Sequence, residues 1–384
     1  MPARPVVNLR VPGTRGHLFF FRKMVEYADR SVEPGSLVDV ADRTGAFVGT
    51  GFYNPDSEIT IRLLSTRREE SDDFIDERLR SAVAFRRDTL KLPEVTEAYR
   101  AAHAEGDGLT GLILDLFGPV VVAQLWSRGW FVRREALRAS LKKIFPNGSV
   151  YFVADERAME NEGFAMPDEQ PPAPIVIAEH GAQFRVNFAT GHKTGFFCDQ
   201  RDNRRAVAAI ASGKSVLDLC CYTGGFAVHA AKAGAKKVLG VDLDEDALET
   251  AKRNAKLNKL AIEWKHGDIF DVLRTMPRPS EFDLVILDPA KLARNKLELG
   301  KARRAYYDMN RLAFGVVAKG GVLVTCSCSG LVPEEEFLDI VREAARSADR
   351  EYRIFRIAGA APDHPVSTLY PEGRYLKAVF GVVV

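Results

Sequence analysis

The chain has 384 residues, 46% of them hydrophobic, and its 54 basic side chains nearly balance 52 acidic ones, giving a formal net charge of +2. This length predicts two or three globular domains, and the near-neutral charge neither requires nor excludes a nucleic-acid partner. Because no apolar run is long enough to cross a bilayer and no signal-peptide apolar region is visible, we predict a cytoplasmic protein without a membrane partner.

Residues 1–70 contain short apolar runs separated by turn signals, a pattern typical of a small β-rich module. Two strands are predicted on either side of the turn at Asp42–Gly45, and a third strand is predicted over Ile59–Leu64. A helix then begins near Ser71 and shows apolar residues at helical spacing from Phe74 to Leu90.

Residues 71–188 combine this connecting helix with a mixed α+β segment. A hairpin is predicted around Gly118-Pro119, and a helix is predicted over Phe131–Ile144. The proline-rich stretch Pro167–Pro174 is predicted to be a loop, and the chain returns to a strand at Gln183–Phe188.

The third segment, residues 189–384, opens with a β-α-β pattern. An apolar run ends at Asp218, the Gly224-Gly225 turn and an alanine-rich helix follow, and a second apolar run ends at Asp242. Such a unit binds a nucleotide-like ligand at the carboxyl ends of its strands, where the Asp242 carboxylate suits a ribose diol. A single glycine pair without a basic residue for pyrophosphate argues against a dinucleotide and favours S-adenosyl-L-methionine.

The same alternation continues downstream. A third strand is predicted to end at Asp268, a fourth, nearly all-apolar strand ends at Asp288-Pro289, and a fifth runs through Gly320–Ser327. Helices are predicted over Asp246–Leu257 and Lys301–Val317, so the fold class is α/β with a Rossmann-like parallel sheet. Residues on or beside the strand ends are the predicted cofactor-binding set: Asp218, Tyr222, Thr223, Gly224, Gly225, Asp242, Leu243, Asp268, Ile269 and Asp288.

A polar segment, Gly191–Arg201, stands directly before this unit. It is either a domain-joining loop or a lid over the cofactor's methionine end or the target base. In the second interpretation Lys193, Thr194, Gln200 and Arg201 supply hydrogen-bond donors.

Basic residues cluster in three places, each of which is either a solvated face or an RNA contact. These clusters are Arg62–Arg68, Arg201–Arg205 and Lys291–Arg304, and the last follows the fourth strand directly.

Several motifs together resemble the 23S rRNA cytosine-C5 methyltransferases of the large-subunit methyltransferase I type. The matching segments are Glu105–Ile113, Gly191–Gly195, Asp199–Asp202, Tyr222–Ala227, Asp288-Pro289, Ser327–Gly330, Asp363–Pro365 and Tyr370–Lys377. The resemblance implies a PUA-like RNA-binding barrel over residues 1–70, an α+β middle domain over 71–188 and a class I methyltransferase domain over 189–384. It also implies that 23S rRNA is the partner. The sequence departs from the family pattern at Ala290 and Leu292 after the fourth strand, and in the element beginning at His17.

The cysteines decide between two reaction types. All five lie in the second half, at Cys198, Cys220, Cys221, Cys326 and Cys328, and their odd number and adjacent pairs argue against structural disulfides. We predict no metal site, because neither a Cys-x-x-Cys motif nor a histidine cluster is present. Carbon C5 of cytosine is a poor nucleophile and needs a thiolate to add at C6, whereas methylation of an amino group does not.

Strand alternation predicts that Cys326 and Cys328 lie on the same face at the end of the fifth strand. Cys328 is nearer the carboxyl end and matches the family's Ser-Cys-Ser-Gly, so we predict Cys328 and Asp288 as catalytic residues and Cys326 as a packing residue. Free cysteines are more often small buried apolar residues.

The sequence leaves three other hypotheses about function open. An amino-group methyltransferase would use Asp288-Pro289 alone, and a non-catalytic RNA-binding or ribosome-assembly protein would keep the cofactor pocket without turnover. Hydride transfer with a nicotinamide is the least favoured hypothesis, because the sequence has no turn suited to a pyrophosphate. The sequence is compatible with a homodimer and does not determine the oligomeric state.

Overall fold

A computed structural model describes most of the chain, and the described residues are 4–13, 17–26, 28, 31–189, 195–278 and 280–384. They form two compact units. The first comprises Met1–Ile175, Val186–Cys198 and Pro362–Gly373, and the second Val176–Arg185, Asp199–Ala361 and Arg374–Val384. Within the described ranges, no helix combines the length and the apolar character that crossing a membrane requires.

A small sheet opens the first unit. Its strands are β1 (Val6–Asn8), β2 (Phe19–Phe20), β3 (Ser36–Ala41), β4 (Phe47–Tyr53) and β5 (Ile61–Ser65), in the order β1-β3-β4-β5-β2. The predicted hairpin is confirmed, because β3 and β4 pair antiparallel around the turn that Asp42 begins. Hydrogen bonds from the Thr44 hydroxyl and from the backbone of the turn hold the pKa of Asp42 at about 2.

The rest of the first unit is a second sheet with helices. Its elements are α1 (Asp73–Ala84), β6 (Ala98–His103), β7 (Leu112–Phe117), β8 (Val120–Leu125), α2 (Arg128–Val132), α3 (Arg134–Ile144), β9 (Ser149–Val153) and α4 (Glu156–Glu162), with the sheet order β6-β7-β8-β9. The β7–β8 hairpin is as predicted. The single helix predicted from Phe131 is wrong at its start, because Ser127 caps a separate short helix there. The connecting helix ends at Ala84 and continues as a π-helical segment over Phe85–Thr89.

The second unit contains a larger sheet. Its elements are β10 (Ile175–Glu179), β11 (Ala182–Val186), α5 (Arg201–Ala211), β12 (Ser215–Leu219), α6 (Gly225–Lys232), β13 (Lys237–Asp242), α7 (Glu245–Leu257), β14 (Glu263–His266), α8 (Ile269–Thr275), β15 (Phe282–Leu287), α9 (Leu299–Val316), β16 (Val317–Ser327), α10 (Glu334–Ser347), β17 (Tyr352–Ala358) and β18 (Lys377–Val383).

The order of the large sheet is β14-β13-β12-β15-β16-β18-β17, and β18 runs antiparallel to its neighbours. Strands β12 to β16 are parallel, as predicted, and the order reverses between β12 and β15. At such a reversal the loops leave in opposite directions and open a crevice, which is where ligands bind in doubly wound sheets. Alternate residues build the two faces: Leu217 and Leu219 pack with α8, α9 and α10, and Val216 packs with α5 and α6.

The β10–β11 hairpin is held by a buried ionic cluster. Glu179 is fully buried, accepts two hydrogen bonds of 2.7 Å from the Arg204 guanidinium and lies 3.0 Å from Nε2 of His229. Burial opposes ionisation of Glu179, but Arg204 and His229 outweigh it and hold its pKa at about 2. The cluster joins the hairpin to α5 and α6.

We expect Glu179→Gln to lower the free energy of unfolding by roughly 3–5 kcal/mol, because it leaves a buried guanidinium without its counter-charge. Since the folded pKa lies below the ordinary value of 4.5, the contribution of Glu179 is complete above pH 4.5 and is lost as the pH falls towards 2. Denaturant titrations at several pH values check this. The variant should lose less stability than the wild type over that window, and the exposed Glu343→Gln should behave like the wild type. Equal acid sensitivity in Glu179→Gln and wild type would contradict the assignment.

Candidate active site

The turn after β12 has a strained backbone. Cys220 and Tyr222 adopt positive φ angles of 60° and 48°, and Gly224 adopts 79°. Residues with a side chain seldom enter this region, and such strain is concentrated at functional sites. A Cβ atom on Gly224 would lie 2.6 Å from Cη2 of Trp264, so the predicted need for glycine at this position has a direct steric cause.

Asp218 lies at the base of this turn and is fully buried. Its Oδ2 accepts a hydrogen bond of 2.9 Å from the Ala227 amide, while its Oδ1 has no hydrogen-bond partner among the described residues. Burial raises its pKa well above the usual range, and the carboxylates of Asp288 and Asp242 add to the effect. A buried acceptor without a donor fits a ligand that brings one, such as the ammonium group in the methionine moiety of S-adenosylmethionine.

Asp242 holds the turn from the next strand. Its Oδ2 accepts 2.7 Å from the Tyr222 amide and its Oδ1 accepts 2.9 Å from the Asp244 amide. Each oxygen retains a second lone pair, so the carboxylate can still accept from two hydroxyls. Leu243, the next residue, is 65% exposed and offers an apolar surface that suits a planar base.

Asp268 differs from its prediction in one respect. The third strand ends at His266, so Asp268 lies beyond it, where it caps α8 by accepting 2.7 Å from the Phe270 amide. Ile269 is buried as the first residue of that helix. Asp268 still shares the edge of the sheet with the other acids. Burial raises the pKa of the Cys220 thiol, and Asp242, Asp288, Asp218 and Asp268 all raise it further.

We expect Asp242→Ala to weaken binding of S-adenosylmethionine by at least tenfold, because each charge-assisted hydrogen bond to the ribose is worth about 1.5–3 kcal/mol. Isothermal titration calorimetry measures the effect. Asp246→Ala removes an exposed carboxylate from the first turn of α7 and should bind like the wild type. An unchanged Kd in Asp242→Ala would show that the ribose lies elsewhere.

Two residues that the sequence patterns did not single out support this turn. Asn254 on α7 is fully buried, donates 2.9 Å to the Thr223 carbonyl and accepts 2.8 Å from the Arg185 amide. Trp264 on β14 covers both Gly224 and Gly240. Both contacts join residues far apart in the sequence, so no local pattern indicates them.

Asp288 follows β15 at the same edge and is oriented by a chain of amides. Its Oδ1 accepts 3.0 Å from Nε2 of Gln200, and Oε1 of Gln200 accepts 2.6 Å from Nδ2 of Asn203. Asn203 also donates 3.1 Å to the Gly359 carbonyl. Gln200, predicted as a cofactor ligand, therefore lies against the predicted catalytic acid.

Cys328 lies in the loop that follows β16. Its Sγ is 3.8 Å from the carbonyl oxygen of Pro289, the residue after Asp288, and its side chain is partly exposed. The Ser329 hydroxyl accepts 3.2 Å from the amides of Leu292 and Ala293, which joins the loop after β15 to the loop after β16. The structure thus brings the two predicted catalytic residues to adjacent, tied loops.

Tyr306 supports the same junction from α9. Its hydroxyl lies 2.9 Å from the Ser329 hydroxyl, and burial raises the pKa of Tyr306 to about 12. The phenol therefore stays neutral near pH 7 and acts as a hydrogen-bonding support.

Cys326 has a different environment from Cys328. It is fully buried, packs with the α5 and α6 side of the sheet, and burial raises the pKa of its thiol well above the usual value. The strand ends at Ser327, so the alternation argument for a shared face does not extend to Cys328. No disulfide joins any of the cysteines.

The other residues predicted as donors in the segment Gly191–Arg201 are Lys193, Thr194 and Arg201. Lys193 and Thr194 lie outside the described residues, so the lid over the cofactor stays a prediction. Arg201 begins α5, is 1% exposed and lies 3.2 Å from an Asp202 oxygen. Because Arg204 is buried as well, the cluster Arg201–Arg205 is not the basic surface that its sequence suggested.

The basic cluster after the fourth strand does reach solvent. Its exposed cations are Lys291, Arg294, Lys296, Lys301, Arg303 and Arg304. Arg303 pairs with Glu336 and Arg304 pairs with Asp308, and the remaining four cations leave positive charge beside the loop of Asp288. In the part of the chain that the structure describes, no group of three or more His, Cys, Asp or Glu side chains is arranged to hold a metal ion.

A doubly wound sheet whose acids line the switch point beside a strained glycine turn fits an S-adenosylmethionine-dependent methyltransferase. The family model of that description matches residues 155–368, and a PUA-like domain model matches residues 14–66. The predicted fold class and cofactor are therefore confirmed.

Similar proteins identify the family within this class of methyltransferases. The chain is 39% identical over 376 residues to "Ribosomal RNA large subunit methyltransferase I" of Aeromonas salmonicida, and 40% identical over 377 residues to the protein of that name from Tolumonas auensis, with 95% of each chain covered. SMU.776, solved in complex with SAH, has the same fold, with a TM-score of 0.81, 20% identity, and 99% of this chain and 100% of that chain covered. The chain belongs to the ribosomal RNA large subunit methyltransferase I family.

Proposed function

We propose that this protein methylates C5 of a cytosine in 23S ribosomal RNA through a covalent intermediate on Cys328. The relatives' name supports large-subunit ribosomal RNA as the substrate, and the PUA-like domain suits an RNA partner. The exposed cations from Lys291 to Arg304 adjoin the site and can contact phosphates. The protein would act in the cytoplasm, and a homodimer stays a prediction.

The observation that carries the choice of C5 is the approach of Cys328 Sγ to within 3.8 Å of the Pro289 carbonyl, beside Asp288. An amino-group methyltransferase needs an acidic or amide side chain that binds the base, but it does not need a nucleophile. A partly exposed thiol at the same edge adds the group that C5 chemistry requires.

Cys328 first loses its proton to solvent water, and the thiolate forms a bond to C6 of the base. The electron pair of the C5–C6 double bond moves to C5, and Asp288 stabilises the product at the N3–N4 edge, donating to N3 when protonated. When bound, S-adenosylmethionine would supply an electrophilic sulfonium methyl group to C5 and would leave as the neutral thioether. Loss of the C5 proton to a base then lets the sulfur leave C6 and restores the aromatic ring.

Asp218, Asp242 and Asp268 would hold the cofactor, and the target cytosine must be unpaired or flipped to reach the edge of the sheet. The unpartnered Oδ1 of Asp218 supports a donor from the cofactor at that point. Gln200 would keep the Asp288 carboxyl in place through its 3.0 Å hydrogen bond.

Nucleoside mass spectrometry tests the proposal. Large-subunit RNA from cells lacking the gene is incubated with the protein and labelled cofactor, digested, and the labelled nucleoside identified. 5-Methylcytidine is the expected product. A methylated amino group as the only labelled product would show that the protein is an amino-group methyltransferase. Cofactor binding without any RNA product would favour a non-catalytic ribosome-assembly protein.

A second test traps the intermediate. RNA containing 5-fluorocytosine should form a denaturation-resistant adduct with the protein, because fluorine cannot leave C5 as a proton does. Digestion of the adduct should place the nucleotide on the peptide that contains Cys328. Absence of an adduct with RNA that is otherwise methylated would refute covalent catalysis.

A further inference from the structure

Lys377 is a buried cation directly behind the loop that carries Cys328. It is the first residue of β18, pairs across the sheet with Ser327, and is 2% exposed. Its ammonium donates 2.7 Å to the Ser329 carbonyl, 2.7 Å to the Val332 carbonyl and 3.0 Å to the Tyr375 carbonyl. Three carbonyls use all three donors of the ammonium, so the group is fixed in position.

No carboxylate forms an ion pair with Lys377 in the described residues. The nearest acids on α10 are engaged elsewhere, since Glu334 pairs with Arg374 at 2.7 Å and Glu336 pairs with Arg303. A buried charge balanced only by carbonyl dipoles is costly to maintain. Burial accordingly lowers the pKa of Lys377 to about 8, and Cys328 is the strongest of the groups that raise it again.

Two of the three carbonyls that Lys377 holds, those of Ser329 and Val332, belong to the turn immediately after Cys328. The Val332 amide donates 3.0 Å to the Ser329 carbonyl, so the ammonium binds both ends of one short turn. This turn begins one residue after Cys328. The ammonium therefore fixes the backbone next to Cys328 and places a buried positive charge near its sulfur.

Other ionisable groups face Cys328 from each neighbouring element. Asp288, after β15, is an acid and opposes a negative sulfur. Tyr306 on α9 and Cys326 on β16 stay neutral near pH 7, because burial raises the pKa of each. Lys291, on the loop after β15, is a second cation but is exposed, so solvent screens it.

We propose that Lys377 is a positioning residue that stabilises the thiolate of Cys328 and holds the turn that presents it. This role rests on the proposed function of Cys328 as nucleophile. The ammonium keeps its proton throughout and forms no bond to the substrate. Its charge offsets that of Asp288, so the site can hold an acid and a thiolate side by side.

The test is the pH dependence of Cys328 alkylation by iodoacetamide, followed by peptide mass spectrometry in the absence of RNA. Lys377→Gln keeps donors for two carbonyls and removes the charge, so the alkylation midpoint should rise by about 1–3 pH units. Lys377→Arg should restore most of the wild-type profile. Lys319→Gln, at the exposed opposite end of β16, should match the wild type. Coincident profiles for Lys377→Gln and wild type would overturn the proposal.

A reciprocal measurement covers the case in which Lys377→Gln does not fold. In protein labelled with ¹³C-lysine, the Lys377 side chain should titrate near pH 8, below the ordinary lysine value of 10.5. Its midpoint should fall in Cys328→Ser, because the serine cannot carry the negative charge that supports the ammonium. An identical midpoint in both proteins would overturn the proposal.

Neither measurement depends on turnover, which separates this inference from the proposed function. A Cys328→Ser variant that still methylates RNA would remove the catalytic role of Cys328 while leaving the coupling measurable. An unshifted alkylation profile in folded Lys377→Gln would remove the coupling while leaving catalysis by Cys328 intact.

Discussion

Cys328→Ser is expected to lower kcat for RNA methylation by roughly 10³-fold or more, because a hydroxyl is a far weaker nucleophile than a thiolate at neutral pH. The substitution preserves the shape of the side chain, and Cys328 is not one of the residues predicted to bind the cofactor. The affinity for S-adenosylmethionine should therefore stay within about twofold of wild type. Single-turnover methylation and calorimetry on the same preparation measure the two quantities.

Cys326→Ser is the matched control. Its sulfur is fully buried in the apolar cluster beside α5 and α6 and also contacts Gln200, so the new hydroxyl should cost roughly 1–3 kcal/mol of stability and have a much milder effect on turnover. The 5-fluorocytosine adduct should persist in Cys326→Ser and disappear in Cys328→Ser. The reverse pattern would transfer the nucleophilic role to Cys326.

Asp288→Asn is expected to lower kcat by roughly 10²–10⁴-fold, because the amide keeps the shape of the carboxyl but neither carries its charge nor transfers a proton. The amide oxygen can still accept the hydrogen bond from Gln200, so the fold should be retained. RNA methylation at saturating cofactor measures the loss. Asp271→Asn, on an exposed face of α8, should be unaffected.

The two variants together separate the reaction types. Loss of activity in both supports C5 methylation, whereas an inactive Asp288→Asn with an active Cys328→Ser indicates methylation of an amino group. Full activity in Asp288→Asn would remove the acid from either mechanism.

Much of the large sheet follows from local pattern. Apolar runs that end in an acid, interrupted by helical spacing, predict parallel strands, and the carboxyl ends of such strands share one edge. Asp218, Asp242 and Asp288 accordingly lie where the sequence placed them, and the Gly224 turn has the predicted backbone requirement. The predicted boundaries are wrong at the ends of some elements, as at His266 and Arg134. There capping and turn residues, and not the hydrophobic periodicity, set where the strand or helix ends.

The sequence by itself therefore determined the α/β class, the cofactor edge and two candidate nucleophiles, because strand and helix periods are local properties. The preference for Cys328 over Cys326 also came from the sequence, and the tertiary structure adds that Cys326 is fully buried whereas Cys328 is partly exposed, since burial depends on which layer packs above each one. It also brought Gln200 to Asp288 and Lys377 to the turn after Cys328, across 88 and 48 residues. Such contacts are set by the order of strands in the sheet, a long-range property that no local spacing encodes.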